Sequence, residues 1–541
     1  MGAIVKLIRR RALQPAGTVT ASRLVIINRL VAYLFLLLAS TWVALANGQP
    51  LFSADTTAYV RGADFAVVYF LGPKFATTWT QERTLQGVEQ RQSPNVRGAI
   101  DGDKFSLNSP FDKSVMAGRS IYYGALLYLG HILGEFWLVI FAQAAVFLYL
   151  SHTLIIKCLR LSFVSFVCVT AITSVATPLS FFICFLMPDV FAGFLIMSVA
   201  ILIAFFNSLS YRDRVILSFI ILYSALTHTS HLLLLIFTIS AFAIISLLAG
   251  RNAKPHRPVR NSLAVLLALS LMGIFGEVAF SYGVRHTIGT DPIRPPFLMA
   301  RMIADGPGYN FLQQHCAEKP YTVCKFIDRL PVTDGDFLWS ASPTNGVFRV
   351  ADLPTRMALS SEQTSFAIDV FRSDPVRVIA TATMDFFRQL FKIDLSPFLL
   401  SQASLKGFAA SIPTSYFDTM MRSRIAMRDG LLGNLSALYV WTYLTSPFVL
   451  LLFWVLSSWP KFQNQIRFWP RERAPILAIV ALGIVGNAAI CGILSAPASR
   501  YQTRISWIPL FIFGLVVAKY WELKTAKLST KLAREGEVRQ T

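Results

Sequence analysis

Long apolar runs, separated by short polar or basic stretches, dominate the chain from end to end. An apolar α-helix needs about 20 residues to cross the hydrocarbon core of a bilayer, and only helices satisfy every backbone group in spans of this kind. The pattern therefore predicts an all-α polytopic membrane protein of about ten to twelve transmembrane helices. The clearest candidate spans lie at about 30–46, 135–156, 162–178, 188–208, 215–227, 231–249, 261–283, 436–457, 475–494 and 505–520.

Three segments interrupt this pattern. Residues 47–117 form a polar, turn-rich loop, which we predict on the outer side. Residues 118–133 (GRSIYYGALLYLGHIL) are amphipathic and Gly-rich, and this favours a surface helix or a short re-entrant element over a full span. Residues 285–435 contain no run long enough to cross, so we expect a mixed, mainly helical outer domain. Within it, Asp374 and Pro375 are typical of the first positions of a helix.

Charge orients the predicted spans. Only 15% of the residues are charged and the mean hydropathy is +0.54, whereas a soluble domain carries roughly a quarter charged residues. The segments assigned to the inner side hold about 23 Lys and Arg against about 5 acidic residues, and the rest holds about 27 against about 24. Since basic residues concentrate in cytoplasmic loops, both termini are predicted inside. The net charge of +21 is then explained by the basic residues of the cytoplasmic segments, and we expect no nucleic-acid partner. These inner segments are 1–23, 157–160, 211–214, 251–260, 459–473 and 519–541.

Together these features predict five regions. The basic N-terminal stretch lacks the small-residue cleavage site of a signal peptide, so we interpret it as a retained cytoplasmic tail. The regions are a cytoplasmic basic tail (1–23), an N-terminal transmembrane module with its outer loop (24–284), an extracytoplasmic domain (285–435), a C-terminal transmembrane module (436–520) and a cytoplasmic tail (521–541).

Candidate acidic residues fall on the predicted outer side. Asp55, in FSADTTAYVRGAD, precedes a predicted helix and is either its N-cap or a general base for a sugar or lipid hydroxyl. Tyr59 lies one turn further and would orient that carboxylate. Asp189 follows Pro188 at the start of a span, where a helix-start role competes with a catalytic role for a carboxylate at the edge of the membrane.

Basic and histidine residues lie near these acids. Arg119 precedes the Gly-rich amphipathic segment and would either bind a phosphate or lipid headgroup or extend towards water. His228 and His231 could share a helix face, either as metal ligands or as interfacial hydrogen-bonding groups; no nearby Cys or Glu completes a metal set.

Two arginines precede the last span, in SAPASRYQTR. Arg500 and Arg504 are four residues apart, so they would share one face at the N-terminus of the last helix. Guanidinium groups suit phosphate, and a lipid-linked phosphate or pyrophosphate is the preferred partner. The alternative is an ion pair with a carboxylate of the outer domain.

Six cysteines are present. Cys316 and Cys324 flank a polar, predicted-outer stretch containing Pro320, so a disulfide between them is plausible. The other four lie in or beside spans, where a small buried apolar side chain is the simplest interpretation.

Four short stretches follow one another along the chain: SADTTAY after the first span, GRSIYYGALL beside the membrane, an MPD entry to a span, and ASRYQTRISWIPL before the last span. Their order resembles the GT-C class of membrane glycosyltransferases. The resemblance covers most of residues 24–520 in layout, but only these stretches in residues. The chain also departs from the class, because Ala54 precedes Asp55 and Thr56 follows it, so the usual pair of adjacent acidic residues is absent.

The resemblance implies an inverting transferase that moves a sugar from a polyprenyl-phosphate donor to a lipid or cell-envelope glycan. By position, Asp55 matches the catalytic acidic residue of the class, and Arg500 with Tyr501 matches its late phosphate-binding stretch. It also implies a multi-pass protein of a bacterial inner (cytoplasmic) membrane, surrounded by membrane lipids, with its active site facing the periplasm or exterior. We expect no cofactor; a divalent metal is compatible with the class but not indicated by the residues.

Two other functions remain open at this point. A lipid or polysaccharide transporter, or a flippase without chemistry, would need the same apolar bulk. Such proteins usually contain internal repeats and polar residues deep in the membrane, whereas this chain has no repeat of fixed period. A structural or assembly subunit has no positive support in the sequence.

Overall fold

The computed structural model describes residues 19–79, 115–249, 257–400, 412–458 and 473–538. Its regular elements are α-helices, with short 3₁₀ or π turns between some of them. The first ten are α1 Val19–Ser40, α2 Trp42–Asn47, α3 Ala54–Leu71, α4 Ile121–Gly134, α5 Trp137–His152, α6 Phe163–Ala176, α7 Leu179–Ile183, α8 Val190–Phe205, α9 Tyr211–Thr227 and α10 Thr229–Ala249. The others are α11 Arg257–Ile288, α12 Phe297–Ala304, α13 Pro307–His315, α14 Asp334–Trp339, α15 Leu353–Ser373, α16 Pro375–Phe391, α17 Thr414–Met421, α18 Asp429–Ser458, α19 Arg473–Leu494, α20 Ser499–Thr503 and α21 Trp507–Val538.

The chain is an all-α membrane protein. The residues that the structure describes are 78% helical and contain no strand. Five segments there are long and apolar enough to cross a bilayer: Trp137–Cys158, Thr229–Leu248, Val259–Ile288, Pro475–Leu494 and Ser499–Ala526. Large apolar side chains on their outer faces are exposed, as expected for helices whose solvent is lipid.

Each of the ten predicted spans lies in a helix, although several boundaries differ. The first run is divided into α1 and α2 at Thr41, whose hydroxyl donates to the Leu37 carbonyl at 2.9 Å. Gly48 then ends α2 with a left-handed backbone (φ 88°), which glycine adopts at no steric cost. The last helix begins at Trp507 and continues to Val538, well beyond the apolar run.

Segment 118–133 forms α4, and its length agrees with the prediction. Fourteen residues of α-helix extend for about 21 Å, less than the roughly 30 Å of a hydrocarbon core. Ser120 caps its start by accepting from the Tyr122 amide at 3.1 Å. Glu135 and Phe136, both with positive φ, make the sharp corner that leads into α5.

Buried apolar side chains form two separate clusters. The main cluster joins the bundle helices, and the second extends from Ile293 to Val378 in the predicted outer domain. The described part of that domain is helical rather than mixed. Residues between Leu395 and Leu432 pack into the main cluster, so the packing boundary falls inside the predicted 285–435 domain.

Cys316 and Cys324 are joined by a disulfide, with a Cα–Cα distance of 5.8 Å. The helix start predicted at Asp374 is also present, since its carboxylate accepts from the Arg377 amide at 3.0 Å and Pro375 is the first residue of α16.

Several segments predicted on the inner side, from their excess of basic residues, meet at one end of the bundle. Lys157 pairs with Asp213 at 2.6 Å, and the Ser162 amide donates to Glu522 at 2.8 Å. Helix α9 begins beside Asp213 and ends at Thr227, next to His228 at the opposite end. Predicted-inner segments 1–18, 251–256 and 459–472 lie outside the described residues. The polar residues singled out from the sequence gather at the opposite end.

Candidate functional site

Two short backbone bridges bring distant loops together at this end of the bundle. Leu51 pairs with Phe185, through Leu51 N–H to Cys184 O at 2.8 Å, and this sets the loop before α3 beside the start of α8. Met116 pairs with Ile293, and the Ala117 amide donates to the Ile293 carbonyl at 2.9 Å. The outer domain is thereby attached to the turn that carries Arg119.

Asp55 lies in the first turn of α3 and is not its cap. Ser53 is the N-cap and forms a capping box with Thr56, so the N-cap interpretation of Asp55 is wrong. The Asp55 carboxylate is instead held between two guanidinium groups. Arg119 Nη2 donates to Oδ1 at 2.5 Å, and Arg500 Nη1 donates to Oδ2 at 3.3 Å.

The opposite charges of Asp55, Arg119 and Arg500 stabilise one another, and we call these three residues the triad. Burial raises the pKa of Asp55, but the charges and hydrogen bonds of Arg119 and Arg500 outweigh it, and the net pKa lies below its ordinary value. Burial lowers the pKa of Arg119, yet the Asp55 charge more than compensates. Arg119 therefore does not extend towards water; its side chain is 8% exposed. A carboxylate with a lowered pKa is a weak base, and both oxygens of Asp55 already accept hydrogen bonds.

Arg500 lies in a turn that the outer domain holds in place. Gln389, near the end of α16, accepts from the Ala498 amide at 2.8 Å and donates to the Ala498 carbonyl at 3.1 Å. The Ser499 hydroxyl donates to Asp394, and Thr503 exchanges hydrogen bonds with the same segment at 3.2 Å. The outer domain thus positions the second arginine of the triad.

The predicted helix start at Arg500 is present, but Arg504 follows the end of that helix, so the two arginines do not share the N-terminus of the last helix. A separate five-residue helix, α20, contains Arg500, and α21 begins only at Trp507. The Tyr501 ring lies between the two arginines, with guanidinium carbons 5.2 Å and 5.3 Å from its centroid. Neither ion pair involves the outer domain, because Arg500 pairs with Asp55 and Arg504 with Asp189.

Arg504 and Asp189 form a buried network beneath the triad. Arg504 Nη1 donates to Asp189 Oδ1 at 3.3 Å, and the two side chains are 2% and 5% exposed. Arg504 Nη2 also donates to Asn487 Oδ1 at 2.9 Å. Asp189 occupies the N-cap position of α8, as the helix-start interpretation expects, but its side chain makes no cap hydrogen bond. The pair links the start of α8 to α19 and to the turn before α21.

The two histidines take part in hydrogen bonds, as one of their two interpretations expects. His228 Nδ1 accepts from the Ser230 amide at 3.1 Å, which leaves the proton of a neutral ring on Nε2. Burial and the nearby charges of Arg504, Arg119 and Arg500 lower the pKa of His228 well below its ordinary value. His231 is buried, with Nδ1 3.1 Å from the Ser224 carbonyl oxygen. No group of three or more His, Cys, Asp or Glu suited to a metal occurs in the part of the chain that the structure describes.

Tyr59 does not orient Asp55. Its hydroxyl is buried and has no hydrogen-bond partner within the described residues, while its ring packs edge-on against Tyr123 at 5.4 Å. Arg119 takes over the orienting role that the sequence suggested for this tyrosine.

A cavity of about 690 Å³ lies over the triad, between the bundle and the outer domain. Five predicted residues line it, whereas Asp189, His231 and Arg504 lie below it and do not. Its charged lining consists of four arginines and two aspartates, so the net charge favours an anion. The predicted lining residues are Asp55, Arg119, His228, Arg500 and Tyr501, and the main additions from the outer segment are Arg294, Asp334, Trp339, Arg349 and Gln363.

The sequence missed these additional residues because they belong to no motif and lie far apart along the outer domain. Only their charge set them apart, and a charged residue in a polar segment is usually solvated. Their meeting point depends on the packing of α14 and α15, which no local pattern encodes.

A second cavity, of about 260 Å³, adjoins the first. It lies between α3, α4 and α11, and its walls are mostly apolar, with Phe65, Ile121 and Val284 among them. Arg119 lines both cavities. The second cavity, which we call the apolar groove, therefore meets the first, polar cavity at one guanidinium group.

Comparison with known protein families, curated proteins and solved structures finds no match to this chain.

Proposed function

We propose that the protein is a GT-C-like membrane glycosyltransferase that moves a sugar from a polyprenyl-phosphate donor to a lipid or cell-envelope glycan. The observation that carries this proposal is the Asp55–Arg119–Arg500 triad at the junction of a polar cavity and an apolar groove. A lipid-linked sugar likewise has a polar sugar at one end and an apolar chain at the other, with a phosphate between them.

The charges support an anionic leaving group. Sugar transfer from a phosphate needs cations where negative charge develops as the bond breaks. Arg119 and Arg500 approach the cavity from different segments and are held by one shared carboxylate, so their positions are fixed before a ligand binds. The neutral ring of His228 adds a hydrogen-bond donor to the same cavity wall.

The apolar groove supports a lipid chain. Helix α11, which forms one wall, contains the candidate span Val259–Ile288, so the groove runs beside a helix that crosses the membrane. A chain lying in the groove brings its headgroup to Arg119. The basic residues at the opposite end of the bundle support an outward-facing site, since such residues concentrate on the cytoplasmic side. As part of the same proposal, the protein belongs to a bacterial inner membrane, with this cavity facing the periplasm or exterior.

Reconstituted protein tests the proposal. Purified protein in liposomes would be given polyprenyl phosphates carrying labelled hexoses, together with total envelope lipids as acceptors. We expect labelled product from the wild-type chain and at least about a hundredfold less from Arg500→Gln, a loss comparable to that for removing one charge-stabilising donor. Arg285→Gln is the matched control, because Arg285 forms an exposed ion pair with Asp291.

The transporter alternative predicts a different result from the same liposomes. If labelled lipid crosses the bilayer while no sugar is transferred to any acceptor, the protein moves lipids and the proposal is wrong.

A further inference from the structure

A second carboxylate, contributed by a different segment of the chain, also lines the cavity. Asp334, the first residue of α14, lines the same 690 Å³ cavity as Asp55 and is half-buried. Helix α14 is held rigidly: Phe337 and Leu338 are buried in the second cluster, and the Phe348 amide donates to the Phe337 carbonyl at 2.8 Å. The position of Asp334 is therefore set by the packing of the outer domain.

The two carboxylates differ in what surrounds them. Both oxygens of Asp55 accept hydrogen bonds from arginine. Within the described ranges, Asp334 has no cation at ion-pair distance. Lys392 acts on it only through space, since its ammonium group donates to the Pro497 carbonyl at 2.9 Å.

The surroundings of the two carboxyl groups also shift their pKa values in opposite directions. Burial raises the pKa of Asp334 and outweighs the opposing effects of hydrogen bonds from the Asp334 and Gly335 amides and of the Lys392 charge, whereas the pKa of Asp55 is lowered. Of the two carboxylates, Asp55 is occupied by its arginine partners, so Asp334 is the better placed to accept a proton.

The same short helix presents an aromatic ring to the cavity. Trp339 lines the wall, and the Arg119 guanidinium carbon lies 6.0 Å from its ring centroid. Asp334 and Trp339 together give this wall one proton acceptor and one flat apolar surface, which suits a ligand that carries both hydroxyl groups and apolar faces, such as a sugar ring.

We infer that Asp334 is the general base that accepts the proton of the acceptor hydroxyl. This inference rests on the proposed function and replaces Asp55 in that role. The hydroxyl O–H bond breaks with its proton passing to an Asp334 carboxylate oxygen, while the oxygen forms a bond to the anomeric carbon of the donor sugar. The bond between that carbon and the phosphate oxygen breaks, and its electron pair leaves on the phosphate beside Arg119 and Arg500. Asp55 then acts as a positioning residue for the two arginines.

The test separates transfer from donor binding. Asp334→Asn, Asp334→Glu and Asp55→Asn would be compared in liposomes, with polyprenyl phosphates carrying labelled hexoses as donors. We expect Asp334→Asn to slow transfer about 10²–10⁴-fold, the usual contribution of a general base, while polyprenyl-phosphate binding changes less than twofold. Asp334→Glu should restore part of the rate. Asp55→Asn should weaken polyprenyl-phosphate binding, because it loosens both arginines.

Asp336→Asn provides the matched control on the same helix, since Asp336 does not line the cavity and its carboxylate accepts from the Thr333 hydroxyl at 2.8 Å. The wild-type rate should also rise with pH as Asp334 ionises, and this limb should be absent from Asp334→Asn. If Asp334→Asn transfers sugar at the wild-type rate, or if its transfer rate and its polyprenyl-phosphate binding fall equally, Asp334 is not the base. The proposed function is unaffected by either result. An inert wild-type protein across the hexose panel overturns the proposed function and this inference with it.

Discussion

At the residue scale, the arginine and aspartate side chains explain why the helices meet as they do. Asp189 and Arg504 each belong to a helix end or a turn that local patterns could interpret as a simple start signal. Their buried contact at 3.3 Å instead joins segments more than three hundred positions apart. A buried ion pair contributes little net stability, but the loss of one partner is costly because an unpaired charge remains.

The first prediction concerns this pair. Asp189→Leu should destabilise the solubilised protein by about 3–5 kcal/mol, since Arg504 would remain buried without its counter-charge. The double change Asp189→Leu/Arg504→Met should regain most of the loss. Thermal unfolding in detergent measures both. If the losses in stability caused by the two single changes simply add in the double variant, Asp189 and Arg504 do not stabilise each other.

The disulfide gives a second prediction at this scale. Cys316→Ser/Cys324→Ser opens a loop with a sequence separation of only eight residues. Such a loop gives somewhat less than the ~3 kcal/mol expected for fifteen residues. We therefore expect a modestly lower unfolding temperature and normal membrane insertion. Mass spectrometry that finds both thiols free in protein from its native membrane would contradict the bridge.

Residue types alone predicted part of the site. Asp55, Arg119, His228 and Arg500 were identified because charged or polar groups beside apolar spans are costly and need partners. Asp334 could not be identified in this way, because a carboxylate in a polar segment is ordinary until the tertiary structure brings it to a cavity.

At the element scale, long apolar runs predicted where helices lie, including the five that are long and apolar enough to cross a membrane in the described ranges, but not the breaks between helices. The division of the first run at Thr41 and the separate helix α20 depend on single hydrogen bonds and on contacts with α16. The apolar groove likewise arises from how α3, α4 and α11 pack, and no one of these sequences indicates it.

Gly283 tests the groove directly. It lines the groove on α11, and a Cβ built there meets no atom within 4 Å. Gly283→Phe should fill the space and weaken polyprenyl-phosphate binding about tenfold, a change of 1.4 kcal/mol, while a phosphate ester with a very short chain binds unchanged. Gly433→Phe on α18 is the control, since Gly433 has the same open space away from the groove. Equal binding of the long chain to both variants would exclude the groove as its site.

At the scale of the whole molecule, the charge asymmetry predicted which loops share a side, and the contacts between Lys157 and Asp213 and between Ser162 and Glu522 agree with that grouping. Reporter fusions test the orientation itself. Fusions after Ser210 should report a cytoplasmic location and fusions after Gly346 an external one. A cytoplasmic signal from the second fusion would invert the topology and move the cavity to the other side of the membrane.

The segment 285–435 was predicted to be mainly helical, and the helix start at Asp374 is present. Its separate cluster and its contacts with the segment that carries Arg500 depend on long-range packing and could not be predicted. Because α16 holds the Arg500 segment through Gln389, the outer domain forms part of the candidate site instead of a separate module.

The central claim is that a lipid-linked phosphate binds between Arg119 and Arg500. A cryo-electron microscopy map of the full-length protein with a polyprenyl phosphate tests it most directly. We expect phosphate density within hydrogen-bond distance of both guanidinium groups and chain density along α3 and α11. Lipid density only on the outer faces of the bundle, with the cavity over Asp55 empty at saturating lipid, would contradict it.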